Sequence, residues 1–492
     1  MTMKIAAIAD FHYNPRGNIL SPARRGEIAD ILFLRAVHRI NRFIRPDLTV
    51  ILGDILDAGN TSEAAAGLER IRATAALLKS PWIAIPGNHD VTHENFYSVF
   101  PRPAETTDIK NTRFVTFLDP EEPGFNARRT RPDLARMTQA RAGWRGQIIA
   151  LQHTPLFPPG RDECPYNYIN ADEIIAAMRR NGILLALGGH YHKGVGLIRD
   201  DGVNFLAAPA LCEAPFSFLE INVSGDAVSV ARHDLCLPET LKLWDTHVHT
   251  QFAYCSENME ITKTMRLARD FGLAGLTFTE HSGQLYFDND TYWNYSFLAG
   301  GFDAIKKEND RMDAYLAALA GAGCLLPNTG LEADCSFGGK PFVRPADRRR
   351  VGRLLGSVHA LASLKNPRPD MQKVCDEFLA MTEGLVRSGI DVLAHPFRLF
   401  SRAKTEIPEQ FYDRVVRLLK ENNAAAEINF HTQTTPETFI RRCLAAGVKL
   451  ALGSDAHNLY EIGELSPHLA LLRACGFNGD LKEILLNTGP EP

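Results

Sequence analysis

A chain of 492 residues is too long for one ordinary hydrophobic core, so two domains of roughly 250 residues each are expected. Hydrophobic residues make up 45% and charged residues 23%, with a formal net charge of −4; this is ordinary globular composition, with no overall field to draw the protein to nucleic acid or an anionic membrane. No apolar run reaches the roughly 18 residues of a membrane span, and the run at residues 5–9 is too short for a signal-peptide core. The nine cysteines lack CxxC pairs and read as reduced thiols, so a cytoplasmic protein with no membrane partner is expected.

The first half repeats one pattern, a short apolar run ending at a polar residue of metal-ligand type. Residues 4–9 run into Asp10, 48–52 into Gly53-Asp54, and 82–85 into Pro86-Gly-Asn-His-Asp90. Residues 147–151 run into Gln152-His153, and 183–187 into Gly188-Gly-His190. Runs this short and continuous suit strands buried on both faces. Helix-like stretches at 29–44 and 62–78 intervene, an α/β alternation. Weaker alternating runs at 204–208, 216–223 and 227–232 predict a closing antiparallel sheet. The pattern breaks near Pro238-Glu239, which predicts domains over 1–236 and 241–492.

The second half shows seven further runs, ending before Asp245, Glu280-His281, Glu332, His359, His395, Asn429 and Gly453-Ser-Asp455. Helical patterns such as 261–271 and 376–388 separate them, which predicts a (β/α) barrel with its chemistry at the C-terminal strand ends.

In the first half the ordered series is Asp10-x-His12, Gly53-Asp54-x-x-Asp57, Gly87-Asn-His-Asp90, His153 and Gly189-His-Tyr-His192. Any one of these motifs arises by chance, but the ordered set does not. It resembles the calcineurin-like metallophosphoesterase family, in the branch associated with cyclic-nucleotide and glycerophosphodiester phosphodiesterases. The resemblance implies a four-layer α-β-β-α sandwich with two metals, Mn, Fe or Zn. Asp54 would bridge them, with Asp10, His12 and His192 completing one and Asn88, His153 and His190 the other. Mixed imidazole, carboxylate and amide ligation suits those ions, and two metals about 3.5–4 Å apart clamp a phosphoryl group. By the same resemblance His89 is a general acid or transition-state donor, Asp90 orients or tunes it, and Asp57 supports a ligand.

In the second half the series is Asp245-Thr-His247-Val-His249, Thr279-Glu-His281, Gly330-Leu-Glu332, His359, His395-Pro396 and Asp455-Ala-His457. In a strand, HxH sets both imidazoles on one face. The series is similar to the PHP (polymerase and histidinol phosphatase) family, which implies a distorted (β/α)7 barrel with two or three metals, again Mn, Fe or Zn. His247, His249, Glu332 and Asp455 would surround one metal. Glu332 would bridge to a second with His359 and His395, and His281 and His457 would take a third. The further histidine that many members place shortly after HxH is missing from residues 251–258, where Glu257 is the available substitute.

Among the other histidines, His431 follows a strand end and could face the second site, while His38, His93, His233 and His468 read as ordinary residues. The aromatic segment 285–302 reads equally as a lid or pocket wall and as a packed excursion or an oligomer contact. Arg-rich stretches at 128–131 and 344–353 either steer phosphate or are solvated faces, and Arg398 is the better single candidate for gripping it. Together these features predict a two-domain metal-dependent phosphoesterase acting on a small phosphorylated metabolite. The first site would be a phosphodiesterase, and the second a phosphatase or cyclic-phosphate phosphodiesterase acting in sequence with it. The alternatives are a nuclease or nucleic-acid repair phosphoesterase, a non-catalytic binding protein, and C–N bond hydrolysis in the second half.

Overall fold

Continuous apolar runs become central strands because both faces of each are covered. The computed structural model describes residues 2–18, 21–366 and 368–486, and the chain divides into two compact units, Met1–Cys236 and Leu237–Pro492. In the first unit the strands are β1 (Met3–Ile8), β2 (Leu48–Leu52), β3 (Trp82–Ile85), β4 (Thr106–Ile109) and β5 (Thr112–Thr116). A short hairpin, β6 (Glu121–Glu122) and β7 (Asn126–Ala127), is followed by β8 (Gln147–Leu151), β9 (Leu185–Gly188) and β10 (Val195–Asp200). The unit ends with β11 (Val203–Ala207), β12 (Ser217–Ser224) and β13 (Ala227–Asp234).

Two sheets form, in the orders β13-β12-β1-β2-β3 and β10-β11-β9-β8-β5-β4. Alternation along the strands decides what faces what. Ile5 and Ala7 of β1 meet Ile149 and Leu151 of β8 and Leu185 and Leu187 of β9 in the core between the sheets. Ile148 and Ala150 of β8 turn the other way, onto Met137, Ile174 and Met178 of the helices Arg131–Arg141 and Ala171–Arg180. The helices Ala29–Arg39 and Ala64–Ala75 bury Leu32, Phe33, Leu68 and Ile71 and cover the first sheet. The result is the four-layer α-β-β-α sandwich. The closing strands differ from expectation in one respect. β12 and β13 are antiparallel neighbours on β1, but β11 runs parallel to β9, because β10 supplies the return strand that reverses the chain.

In the second unit β14 (Trp244–Val248), β15 (Gly275–His281), β16 (Thr329–Asp334) and β17 (Arg353–Ser357) lead to β18 (Val392–Leu393), β19 (Ala425–Asn429) and β20 (Leu450–Gly453). All seven are parallel and in sequence order, and a parallel bridge from Val248 to Ala456 nearly closes them into a barrel. Helices return the chain between strands. One of them, Gln410–Glu421, buries Phe411, Val415 and Leu419 at helical spacing, each contributing about 1.5–3 kcal/mol when fully buried. A charge at Val415 would break that seam.

Two strand starts lie later than the apolar runs suggested. β14 takes in Asp245 to His247, and residues 326–328 form a 3-10 turn around Pro327 before β16 begins. Among the described residues no helix is long and apolar enough to cross a membrane. Among the described residues no disulfide joins any of the nine cysteines.

Candidate metal centres

In the first unit the five motif-bearing loops leave β1, β2, β3, β8 and β9 at one end of the sandwich. The β1 and β2 loops are stitched together, with the amides of Phe11 and His12 donating to the Asp54 carbonyl at 2.8 and 2.9 Å. Asp10, His12, Asp54 and His190 all have positive φ, at 56°, 44°, 51° and 68°. Left-handed backbone in non-glycine residues is costly and persists where the surroundings enforce it, as at functional sites. Gly87 meets the same crowding, since a Cβ there would stand 2.2 Å from Asp54 Oδ1.

Asp10, His12 and His192 offer ligand atoms within 4.8 Å of one another, and so do Asp54, His153 and His190. Asp54 stands between the two groups. Its Oδ1 accepts from the His89 amide at 2.9 Å, and its Oδ2 lies 3.6 Å from His12 Nε2 and 3.4 Å from His153 Nε2. His12 Nε2 and His192 Nε2 are 3.0 Å apart, and His153 Nε2 is 3.1 Å from Asn88 Oδ1 and 3.2 Å from His190 Nδ1. Burial raises the Asp54 carboxyl, but the imidazoles of His153 and His12 outweigh it and hold the group well below the usual carboxylate range. The geometry thus gathers the residues into the two sets expected from the motif, sharing one carboxylate.

His89 donates from Nδ1 to the Asp57 carbonyl at 2.7 Å. The expectation that Asp90 orients His89 meets a different arrangement. The Asp90 carboxylate accepts from the amides of Gly87 at 2.9 Å, Leu56 at 2.9 Å and Ile55 at 3.2 Å, so it ties the β2 and β3 loops together. Asp57 does approach a ligand-type residue, with Oδ1 3.6 Å from His12 Nδ1. Glu213, which the motif does not include, accepts from His192 Nδ1 at 2.6 Å. A cavity of about 320 Å³ opens on Asp54, Asn88, His89 and His192, walled by Arg24 and Tyr166. A second, of about 530 Å³, opens on Asn88, His153 and His190.

In the second unit the ligand-type residues stand at the C-terminal ends of the barrel strands, where this architecture carries its chemistry. Glu332 lies at the centre. Its Oε2 is 3.5 Å from His247 Nε2, 3.7 Å from His249 Nε2 and 2.7 Å from His281 Nδ1. Its Oε1 is 3.1 Å from His359 Nε2 and 2.6 Å from His395 Nε2. One carboxylate therefore divides its oxygens between two imidazole groups. Asp455 Oδ1 approaches His249 Nε2 at 3.1 Å and His247 Nε2 at 3.5 Å, and His249, His281 and His457 form a further cluster within 4.8 Å. Burial raises the Glu332 carboxyl, yet His281, His359, His247 and His395 together hold it well below its usual range.

The donor chemistry of this cage fits a divalent cation. His247 Nδ1 donates to Glu427 Oε1 at 2.7 Å and His249 Nδ1 to Glu280 Oε1 at 3.1 Å. With Nδ1 engaged in this way, the Nε2 atoms of the two rings, 3.2 Å apart, are the ones turned toward the oxygens of Asp455 and Glu332. Two imidazole nitrogens and two carboxylate oxygens converge there, with His281 Nδ1 close against Glu332 Oε2. Such mixed imidazole and carboxylate sets suit divalent metals.

Of the residues outside the motifs, Asp334 accepts from His359 Nδ1 at 2.7 Å. Glu280 and Asp334 flank motif residues, and Glu427 is a lone charge inside an apolar strand; that isolation was the available signal. His431 does lie beside the centre, its ring 4.8 Å from that of His457 and its Nδ1 2.9 Å from Glu461 Oε1. Glu257 accepts from Asn458 Nδ2 at 2.6 Å, next to His457. Arg398 is buried and donates to Asp455 and to Asn429 Oδ1, so its guanidinium is engaged within the cage wall. The Arg-rich stretches are largely ion-paired: Arg129 to Asp119, Arg128 to Glu122, Arg344 to Asp310 and Arg350 to Asp313.

Comparison with known proteins bears on both halves. Residues 3–194 match the family model described as calcineurin-like phosphoesterase, and residues 245–431 match that of the PHP domain. A probable cyclic nucleotide phosphodiesterase of Xenorhabdus bovienii is 25% identical over 167 residues, 32% of this chain and 65% of that protein. Another, of Moraxella catarrhalis, is 31% identical over 93 residues, 19% of this chain and 29% of that protein. The chain thus spans less than two thirds of the length of either relative. Among solved structures, a dimetal phosphatase from Danio rerio aligns at 18% identity with a TM-score of 0.39, over 47% of this chain and 98% of that one.

Proposed function

We propose that this chain, which joins a calcineurin-like phosphoesterase domain to a PHP domain, is a metal-dependent phosphoric ester hydrolase with one centre in each unit. The observation that carries the reading is the pair of central carboxylates, Asp54 and Glu332, each standing between two groups of imidazoles. The first centre would hold two ions, Mn, Fe or Zn, on Asp10, His12, Asp54, Asn88, His153, His190 and His192. The second would hold two or three on His247, His249, His281, Glu332, His359, His395, Asp455 and His457. Such ions, when bound, supply Lewis acidity to the phosphoryl oxygens.

The chain's own residues set the rest of the chemistry. At the first centre His89, its Nδ1 proton engaged by the Asp57 carbonyl, turns Nε2 toward the cavity that borders Asp54 and Asn88. From there it passes a proton to the departing alkoxide of a phosphodiester. Arg24, at the wall of the same cavity, pairs with the phosphoryl charge. At the second centre Glu280, Glu427 and Asp334 hold the Nδ1 protons of His249, His247 and His359, so that each ring offers Nε2 inward.

The substrate class is a small phosphate ester. The first centre cleaves a diester, and the second removes the resulting monoester or opens a cyclic phosphate. The motif spelling and the relatives' names favour a diester for the first centre, and two phosphoryl centres in one chain favour sequential action. The test is a screen of mono-, di- and cyclic phosphate esters against Asp54→Asn and His247→Ala variants. Loss of diesterase activity in the first variant, and of the monoester or cyclic activity in the second, is expected. Complete conversion of one substrate by each variant alone would overturn sequential action.

A further inference from the structure

The second centre is deeply buried, and on its His281 side an aromatic segment packs against it. His247, His249, Glu332 and Asp455 are 0% exposed. Over them runs the segment 285–302, whose helix Asn289–Trp293 sets the Tyr292 ring 5.9 Å from that of His281. Tyr292 is itself 2% exposed and stacks on Phe297 at 5.6 Å, and Phe297 packs against Phe287 at 5.1 Å and Phe342 at 5.3 Å. Burial pushes the Tyr292 phenol up, the Asp334 and Glu332 carboxylates add to this, and a hydrogen bond with the Gln284 side chain opposes it. The Tyr292 ring stands at the His281 edge of the cage.

The seat of this plug is specific. A Cβ on Gly283 would stand 2.7 Å from the Phe297 ring and 2.7 Å from Asp334 Oδ2. The glycine lets Phe297 and Asp334 settle directly against the strand end that carries His281, and a larger residue would push one of them aside. The Gly283 amide donates to Asp334 Oδ2 at 3.0 Å, and Asp334 also accepts from His359 Nδ1, so plug and cage share one carboxylate. The next residue on the segment, Trp293, is 47% exposed. The segment thus has a wet outer face and an inner face aimed at the site. Tyr292 covers the His281 side of the cage that holds Glu332.

We propose that residues 285–302 are a lid on the second centre and that Tyr292 is its substrate-contacting residue, donating its phenol to a phosphoryl oxygen of the bound ester. The proposal rests on the second centre being a phosphoesterase site, and it assigns the element that admits and grips the substrate. A lid lifts on the microsecond-to-millisecond scale and excludes water when shut. One phenol hydrogen bond to a charged phosphoryl group is worth about tenfold in affinity or more.

The test uses the full chain in an Asp54→Asn background, so that the second centre reports, loaded with Mn²⁺ and probed with inorganic phosphate. Tyr292→Phe keeps the ring and its stack on Phe297. It is expected to release Mn²⁺ to a chelator at the parental rate while binding phosphate about tenfold more weakly. Tyr292→Ala opens the roof and is expected to release Mn²⁺ severalfold faster, with Trp293 fluorescence shifted. Parental phosphate affinity in the first variant, or parental release in the second, overturns the lid alone. A parent whose second centre takes up no Mn²⁺ overturns the hydrolase reading of that unit and the lid with it.

Discussion

Glu427 accepts a hydrogen bond from His247 Nδ1 at 2.7 Å, and both side chains are wholly buried. The contact decides which nitrogen of His247 faces the cage, because a ring that donates from Nδ1 presents Nε2. Glu427→Gln removes the charge that makes the ring a strong ligand. Metal affinity of the second centre should fall about 10- to 100-fold, with secondary structure and first-centre activity retained. Metal titration of the full chain, read beside a diester assay, checks this.

His89 touches no ligand-type nitrogen through a hydrogen bond of its own; Nδ1 goes to the Asp57 carbonyl. His89→Ala should therefore leave metal content intact and lower kcat on an alkyl phosphodiester by about 10²-fold or more. An ester with a good leaving group, such as a nitrophenyl diester, needs little proton donation and should lose much less. Equal losses on both esters would assign His89 to positioning instead.

Arg129 illustrates how a basic stretch misleads. Its guanidinium is 1% exposed, donates to Asp119 at 2.8 Å and lies 3.7 Å from the Phe117 ring centroid. Arg129→Met would strip the buried Asp119 carboxylate of its cation and leave it the Tyr168 hydroxyl as a neutral donor. Thermal or denaturant unfolding should show the first unit destabilised by about 3–5 kcal/mol. The KM of the second centre should not change.

Removing metal should be visible in stability as well as in turnover. Exhaustive chelation is expected to abolish ester hydrolysis at both centres. Restoring Mn²⁺ to about a hundredfold over its dissociation constant should then raise stability by about 2.7 kcal/mol per site. Differential scanning calorimetry with and without Mn²⁺ reads this directly. A Tm indifferent to Mn²⁺ would contradict a metal-binding role for the imidazole and carboxylate cage around Glu332 and Asp455.

Much of this molecule was legible before any coordinates. Asp10, Asp54, Asn88, His153 and His190 each follow an apolar run directly, and a buried strand that ends in a ligand-type residue delivers it to the end of a sheet. HxH at 247–249 announced two rings on one face for the same reason. Glu280 and Glu427 were harder to see. Nothing local distinguishes a carboxylate that holds an imidazole proton from one that caps a strand, and Glu427 lies 180 positions from His247. The aromatic run at 285–302 read equally as lid or as packing, and the position of Tyr292 relative to His281 favours the first.

Sequence alone determined the alternation of strands and helices, the two families and the roster of imidazoles and carboxylates, because periodicity and motif order are local properties of the chain. Tertiary structure alone decided that the Asp90 carboxylate accepts from amides of the β2 and β3 loops, that Arg398 donates to Asp455 and Asn429, and that Arg129 is buried. A hydrogen bond depends on distance and direction between groups far apart in sequence, and only the folded backbone sets those.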